Sequence, residues 1–431
     1  LSAALRSYEA ERGTEGAAEL QRCVNRAVSA CMPEEDFMNA NAEIEAALGR
    51  MAADARAAEE QTRRAPVACE TEGARRAAED SAADALSLLA AQQGVLLALV
   101  EDEDDANWWL VTNGDTFQVD PELCAVFGAV EQNPQLSGVE ETVKLAREHK
   151  ADAIIGIGGG SAIDTAKFVS AITLDGGDAI EYYRGERPFP AVHLPVIAVP
   201  TTAGTGSEVT QVSVISHITE KKTINDPAFM PLAAIVDPEL CMSVPPRTTM
   251  NTGLDALAHA LEGFWSVQHQ PICELMTAEA VRLILDNLEK AYRDGSDKDA
   301  RSALSYAATL GGLAFALPKT AACHACSYPL SEDYHLPHGE ACALTLDSLV
   351  RINADERLEA LCRKVGLSGT EALAQRIAEL KKLGGLRTRL SELGEVDLDK
   401  LCRDCAAHPL MKNNPVHMDE AALREMFEAL R

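Results

Sequence analysis

The chain has 431 residues, a formal net charge of −28, 47% hydrophobic residues and 25% charged residues. This length and composition are typical of two or three globular domains, and they exclude a mainly disordered chain. The longest apolar run, Val95–Val100, is far shorter than the ~20 residues of a membrane-spanning helix, and the negative charge opposes nucleic-acid binding.

The first hundred residues differ from the rest of the chain. They are rich in Ala, Arg and Glu, which are common in helices, and they contain no lysine. We interpret residues 1–105 as an N-terminal extension, helical or partly disordered, that ends near the acidic run Glu101–Asp105.

Strands and helices are predicted to alternate after this extension. In chain order they are Trp108–Thr112, Val139–His149, Ala153–Ile157, Ser161–Ile172 and Pro195–Val199. Buried strands that alternate with amphipathic helices indicate a doubly wound parallel sheet. We therefore assign residues 106–245 to an α/β dinucleotide-binding domain.

Only helices are predicted beyond about Pro246. Their patterns cover Thr252–Trp265, Leu275–Tyr292, Arg301–Leu317 and Ala354–Val365. Residues 246–431 are therefore expected to form an all-α domain.

A glycine-rich turn, Gly158-Gly159-Gly160-Ser161, lies between a predicted strand and a predicted helix. Glycines allow close approach of a ligand, and the helix N-terminus offers N–H groups to a pyrophosphate. Asp164 lies in the first turn of the same helix, where a carboxylate complements the helix dipole. A second polar loop, Pro200–Glu208, follows the next strand, and the two loops together favour a nucleotide crevice.

Four separated side chains suggest a metal site. Asp255 and His259 are four residues apart on one helix face, and His324 and His338 follow in later segments. One carboxylate and three neutral imidazoles suit Fe²⁺ or Zn²⁺ with an open position for a substrate oxygen.

These motifs resemble the iron-containing (group III) alcohol dehydrogenases. The matching segments are Ala153–Lys167, Val199–Glu208, Thr252–Gly263 and Pro337–Gly339. The resemblance implies NAD(H) or NADP(H) as cofactor, reversible aldehyde–alcohol interconversion, and Asp255, His259, His324 and His338 as metal ligands. The cofactor positions that it implies are Gly159, Gly160, Ser161, Thr201, Thr202, Thr205 and Lys222.

Within this family, three segments look most like phosphonoacetaldehyde reductases, which form 2-hydroxyethylphosphonate. They are Phe264–Val267, Lys319–Leu330 and His338–Leu346. Lys319 precedes a predicted ligand by five residues, so its ammonium group is a candidate partner for an anionic substrate tail.

Two departures from the family pattern matter. Tyr328 stands where many members carry a further His, so a proton relay would use water, Tyr328 or the cofactor ribose. The segment Thr112–Phe127 is about half the usual length, and Asn113 occupies the place of the acid that often meets the adenosine ribose.

Other interpretations remain open from the sequence. They are a polyol or generic short-chain alcohol dehydrogenase, a non-catalytic scaffold relative, and a zinc site formed by Cys323/Cys326 with Cys402/Cys405. The 12 cysteines are scattered, and residues 1–30 contain no continuous apolar leader. Both features favour an intracellular, soluble protein, most simply a cytoplasmic one. Organelle targeting is left open, because the chain begins at Leu1. We also expect a homo-oligomer, a dimer, with no membrane partner.

Overall fold

The computed structural model of the chain describes residues 95–101, 124–218 and 220–431. Most of the predicted N-terminal extension, the predicted strand Trp108–Thr112 and Asn113 lie outside these residues. Within the described part, no helix has the length and apolar character needed to cross a membrane.

Among the described residues, the main sheet has five strands: β1 (Val95–Glu101), β2 (Cys124–Val130), β3 (Ala151–Gly158), β4 (Val196–Pro200) and β7 (Ala233–Ala234). They are parallel and lie in the order β2-β1-β3-β4-β7. All five residues of β4 are buried, which is why this strand has a continuous apolar sequence. The parallel sheet of the α/β prediction is confirmed.

Strand β1 lies before the predicted domain boundary at residue 106. Strand β1 pairs with β3 from Val95 to Val100 and with β2 on its other side, so the sheet includes part of the segment assigned to the extension. The sequence analysis did not predict β1 as a strand. Its apolar run, 95–100, directly follows an alanine-rich stretch whose composition is typical of a helix.

In the part of the chain that the structure describes, three helices and a hairpin accompany the sheet. The helices are α1 (Leu136–Glu148), α2 (Gly160–Ile172) and α3 (Ala179–Arg184), and the antiparallel hairpin consists of β5 (Val212–His217) and β6 (Glu220–Asn225). Helix α2 is buried from Ala162 to Ile172, since the sheet and the hairpin both pack against it. The hairpin was not predicted.

From Pro246 onward the chain is helical, as predicted. The helices are α4 (Pro246–Trp265), α5 (Pro271–Arg293), α6 (Lys298–Ala316), α7 (Ala322–Tyr334), α8 (His338–Ile352), α9 (Glu356–Lys364), α10 (Thr370–Leu383), α11 (Leu398–Ala407) and α12 (Glu420–Ala429). Helix α4 begins at a proline, whose fixed φ suits the first helical position. It packs against α5, α6 and α8, so its side chains are buried almost all round.

Candidate metal and nucleotide site

Helix α4 carries a buried polar stripe. Asp255, His259 and Glu262 follow at intervals of four and three residues, so they share one face of the helix. They are only 3%, 6% and 0% exposed. Burial of titratable groups costs free energy unless they are paired or bind a ligand, so this face marks a site within the helical core.

Two further histidines converge on this stripe from other helices. His324 lies in the first turn of α7, and His338 is the first residue of α8. Asp255 Oδ1 is 3.8 Å from His324 Nε2 and 3.9 Å from His338 Nε2, and His259 Nε2 is 3.0 Å from His324 Nε2. The structure thus brings all four predicted ligands together.

A cysteine that the sequence analysis did not single out completes this cluster. One ligand atom from each of Asp255, His324, His338 and Cys342 lies within 4.8 Å of the other three. Cys342 is four residues after His338 on α8, and that helical interval is the signal that was available in the sequence. His259 approaches the group from the side of His324.

The chemistry of these atoms fits a divalent cation. Asp255 Oδ1, His259 Nδ1 and His338 Nδ1 are buried without a hydrogen-bond partner in the described residues. Burial lowers the pKa of His259 to about 3, so its imidazole is neutral and offers a lone pair at physiological pH. Carboxylate and neutral imidazole are suitable ligands for Fe²⁺ and Zn²⁺.

Glu262 holds one of these imidazoles in place. Its carboxylate is fully buried and accepts hydrogen bonds from the Cys323 backbone N–H at 2.6 Å and from His324 Nδ1. Burial opposes the charged imidazolium, but Cys342 and Glu262 outweigh it and raise the pKa of His324 well above its usual value. The bond at Nδ1 directs Nε2 toward the cluster, which is the arrangement that metal-binding histidines commonly show. The sequence analysis missed Glu262, although its interval of three residues from His259 gave the signal.

The glycine turn lies at the carboxyl end of β3, where the strand order reverses between β1 and β3. Such a reversal point is where open α/β sheets bind their ligands. A Cβ atom on Gly160 would lie 2.7 Å from Thr205 Cγ2, so only glycine lets the two predicted loops approach this closely. The Thr201 N–H donates to the Gly158 carbonyl at 2.9 Å, and this hydrogen bond connects the second loop with the glycine turn.

The carboxylate of Asp164 does not only complement the dipole of α2, since it also makes hydrogen bonds to other elements. Its carboxylate accepts hydrogen bonds from Ser207 Oγ at 2.6 Å and from the Val214 N–H at 2.9 Å. Lys167, fully buried, donates to Ser207 Oγ at 2.6 Å and to the Val212 carbonyl at 2.8 Å. These groups fix the second loop and the hairpin to α2, so Asp164 shapes the nucleotide side of the cleft.

One cleft of about 580 Å³ connects the glycine turn with the metal cluster. Its wall includes Gly160, Ser161, Asp164 and Thr205 on one side and His259, His324 and His338 on the other. The half-buried Thr201 and Thr202 follow β4 but do not contribute to this wall.

Lys222, a predicted cofactor position, lies in β6. Its ammonium group donates to the Tyr183 carbonyl at 2.7 Å, whereas Lys221 lines the cleft and donates to Asn133 Oδ1 at 2.7 Å. Successive side chains of a strand point to opposite faces, so the neighbour of the predicted lysine occupies the site.

Lys319 and Tyr328 both line the cleft. The Lys319 ammonium donates to the Ala316 carbonyl at 2.9 Å, near the end of α6. Tyr328 bonds through its hydroxyl to the hydroxyl of Thr223 and stacks on the His408 ring with centroids 4.5 Å apart.

The alternative zinc site from two Cys-x-x-Cys pairs does not assemble. The four cysteines do not form a metal-binding group among the described residues.

A strand-end glycine turn and a buried carboxylate–imidazole cluster in one cleft define a nucleotide- and metal-dependent enzyme. Comparison with known proteins identifies its family. Residues 114–238 match "Iron-containing alcohol dehydrogenase", and residues 249–430 match "Fe-containing alcohol dehydrogenase family, C-terminal".

Characterised relatives support the same assignment. A long-chain-alcohol dehydrogenase of Geobacillus thermodenitrificans is 37% identical over 70% of this chain and 81% of its own length. A sulfoacetaldehyde reductase of Bilophila wadsworthia is 32% identical over 71% of this chain and 82% of its own. The solved sulfoacetaldehyde reductase of Bifidobacterium kashiwanohense in complex with NAD⁺ is 36% identical, with a TM-score of 0.73 over 80% of this chain and 93% of that one.

The chain belongs to the iron-containing alcohol dehydrogenase family. It is therefore an oxidoreductase that acts on CH–OH donors, and its family uses NAD(H) and a divalent metal.

Proposed function

We propose that this enzyme works mainly as an aldehyde reductase, and that its substrate is a two-carbon aldehyde with a tetrahedral anionic tail, phosphonoacetaldehyde, which it reduces to 2-hydroxyethylphosphonate. The observation that carries the proposal is the charge of the cleft. Lys221, Lys319 and Lys412 all line it, in a chain whose net charge is −28. A local concentration of cations in an acidic protein favours an anionic ligand at that place.

The metal side of the cleft is suited to the aldehyde group. In this proposal Asp255, His259, His324 and His338 hold the cation, and Glu262 orients His324. When bound, the cation polarises the aldehyde oxygen and NAD(P)H supplies the hydride. The single carboxylate of Asp255 would neutralise only part of the charge of a bound divalent cation, so the site would favour a negatively charged oxygen of the substrate.

In this proposal Tyr328 holds the proton that the alcohol product requires. Its hydroxyl is bonded to Thr223 at the wall of the cleft, and burial raises the pKa of the phenol, so it stays protonated at neutral pH. This residue takes the position at which many family members carry a histidine.

The relatives are consistent with an anionic aldehyde. Two proteins among those compared are named sulfoacetaldehyde reductases, and a sulfonate has the same tetrahedral shape as a phosphonate. The cofactor side, formed by the Gly158–Ser161 turn and Thr205, is the proposed binding place of the dinucleotide.

A substrate panel tests the proposal. The values of kcat/KM are measured with phosphonoacetaldehyde, sulfoacetaldehyde, glyceraldehyde and propanal, each with NADH and NADPH. We expect the phosphonate to be preferred. Equal values for propanal and phosphonoacetaldehyde would contradict an anion-selective site and favour a generic alcohol dehydrogenase.

Lys319→Ala tests the role of the cleft cations directly. Loss of one hydrogen bond to a charged group costs about 1.5–3 kcal/mol, so we expect KM for phosphonoacetaldehyde to rise roughly 10- to 100-fold with little change for propanal. Lys298→Ala, which removes an exposed lysine paired with Glu239, is the matched control. Equal losses for both aldehydes would show that Lys319 acts only on the end of α6.

A further inference from the structure

Asn225 and Lys319 meet at the wall of the cleft. Asn225 is the last residue of β6, and Lys319 lies three residues before α7. The Lys319 ammonium donates to the Ala316 carbonyl at 2.9 Å and to the side-chain oxygen of Asn225 at 3.2 Å. The amide takes this orientation because its NH₂ group then donates to the Gln211 carbonyl, also at 3.2 Å. Both partners of the ammonium are therefore uncharged.

The charge of Lys319 has no counter-charge beside it. Burial lowers the pKa of this half-buried lysine, and among the described residues no charged group shifts that pKa back. By contrast, Lys298, Lys381 and Lys400 each pair with a carboxylate. An ammonium has three N–H donors, so one is left for a ligand. Because a desolvated charge without a counter-charge costs free energy, this place favours an anion.

The backbone at Lys319 gives independent support. Its φ is +67°, in the left-handed region where a residue other than glycine is strained. Buried side chains hold the turn on both sides, since Ser266 Oγ donates to the Pro318 carbonyl at 2.7 Å and Asn413 Nδ2 donates to the Thr320 carbonyl at 2.8 Å. The turn thus carries a lysine where glycine would be less strained, which indicates a role for the lysine side chain.

We propose that Asn225 determines the charge selectivity of the cleft. Its neutral amide supports the Lys319 ammonium without neutralising it, so the ammonium remains available to the tetrahedral oxyanion tail of the substrate. A carboxylate at position 225 would pair with the ammonium and repel the same tail. The inference rests on the proposed function, since it concerns the anionic end of the proposed substrate, and it assigns the selectivity to a residue of the hairpin.

Binding of methylphosphonate to the metal-loaded enzyme with NADH, measured by titration calorimetry, tests this assignment. Methylphosphonate carries the anionic group but no aldehyde, so the result does not depend on turnover. Asn225→Asp keeps the size of the side chain and adds one negative charge beside Lys319, so we expect Kd to rise roughly 5- to 50-fold. Asn225→Ala removes the hydrogen bond but leaves the ammonium unpaired, so its effect should be much smaller.

Asn287→Asp is the matched control. Asn287 Oδ1 on α5 also accepts a hydrogen bond from a lysine, Lys290, at 3.2 Å, and this pair does not line the cleft. The control should bind methylphosphonate as the wild type does. Three results overturn the inference: no binding by the wild type, equal Kd values for the wild type and Asn225→Asp, and a loss in Asn225→Asp that Asn225→Ala or Asn287→Asp reproduces.

The outcome is separate from that of the substrate panel. Methylphosphonate binding that depends on the charge at position 225, in an enzyme that fails to reduce phosphonoacetaldehyde, keeps the inference and overturns the substrate. Preferred reduction of phosphonoacetaldehyde with a KM that Asn225→Asp leaves unchanged does the reverse.

Discussion

Replacement of Glu262 by Gln separates the orientation of a metal ligand from the packing of the helical core. The carboxylate is completely buried and accepts two hydrogen bonds, one from the Cys323 N–H at 2.6 Å and one from His324 Nδ1. Glutamine has nearly the same shape, so the change leaves no cavity. It removes the charge and replaces one acceptor oxygen by an NH₂ donor.

The size of the effect follows from the number of acceptors. The glutamine oxygen satisfies either Cys323 or His324, and the other donor then faces an NH₂ group. Loss of a hydrogen bond to a charged acceptor costs about 1.5–3 kcal/mol, which corresponds to roughly 10- to 100-fold in metal affinity. Residues that orient metal-bound histidines in other proteins show effects of about the same size, 10- to 100-fold.

The assay is a Zn²⁺ titration against a competing chelator, with the melting temperature of the metal-free protein measured alongside. Glu340→Gln is the control, since Glu340 is also fully buried but bonds Arg387 and Arg247 rather than a histidine. We expect both variants to lower the melting temperature and only Glu262→Gln to weaken zinc binding. Unchanged zinc affinity in Glu262→Gln, or an equal loss in both variants, refutes the reasoning.

Three further predictions use other parts of the structure. Gly160→Ala places a Cβ atom 2.7 Å from Thr205 Cγ2, so nicotinamide fluorescence should show weaker NADH binding with unchanged metal content. Gly339→Ala places a Cβ atom 2.4 Å from a backbone carbonyl oxygen of α4, so it should cost about 1–3 kcal/mol of stability and weaken zinc binding, while Gly138→Ala, with nothing within 4 Å, should do neither. Burial lowers the pKa of Lys167 from 10.5 to about 8. Between pH 8 and 10.5 the folded protein therefore releases the Lys167 proton, whereas the unfolded chain retains it. Denaturant unfolding should therefore show the wild type gaining stability relative to Lys167→Met between pH 8 and 10.5, and parallel pH profiles would contradict this.

Much of the architecture is readable from local patterns. Strands β3 and β4 are buried apolar runs that are followed by Gly or end in Pro-Thr-Thr. On α4, the spacing of four residues places Asp255 and His259 on one face of the helix. Both signals depend on side-chain periodicity within one element. Strand β1 and the β5–β6 hairpin escape such analysis, because their assignment depends on the partners with which they pair.

By itself the sequence determined the alternation of strands and helices, the glycine turn, the family, and the residue types that a metal site requires. The tertiary structure alone decided which side chains meet. It brought Cys342 and Glu262 to the histidines, turned Lys221 rather than Lys222 toward the cleft, and tied Asp164 to the hairpin. The physical reason is that hydrogen-bond and ligand geometry operates over about 3–4 Å between elements far apart in the chain, and only packing of the helices and strands fixes those distances.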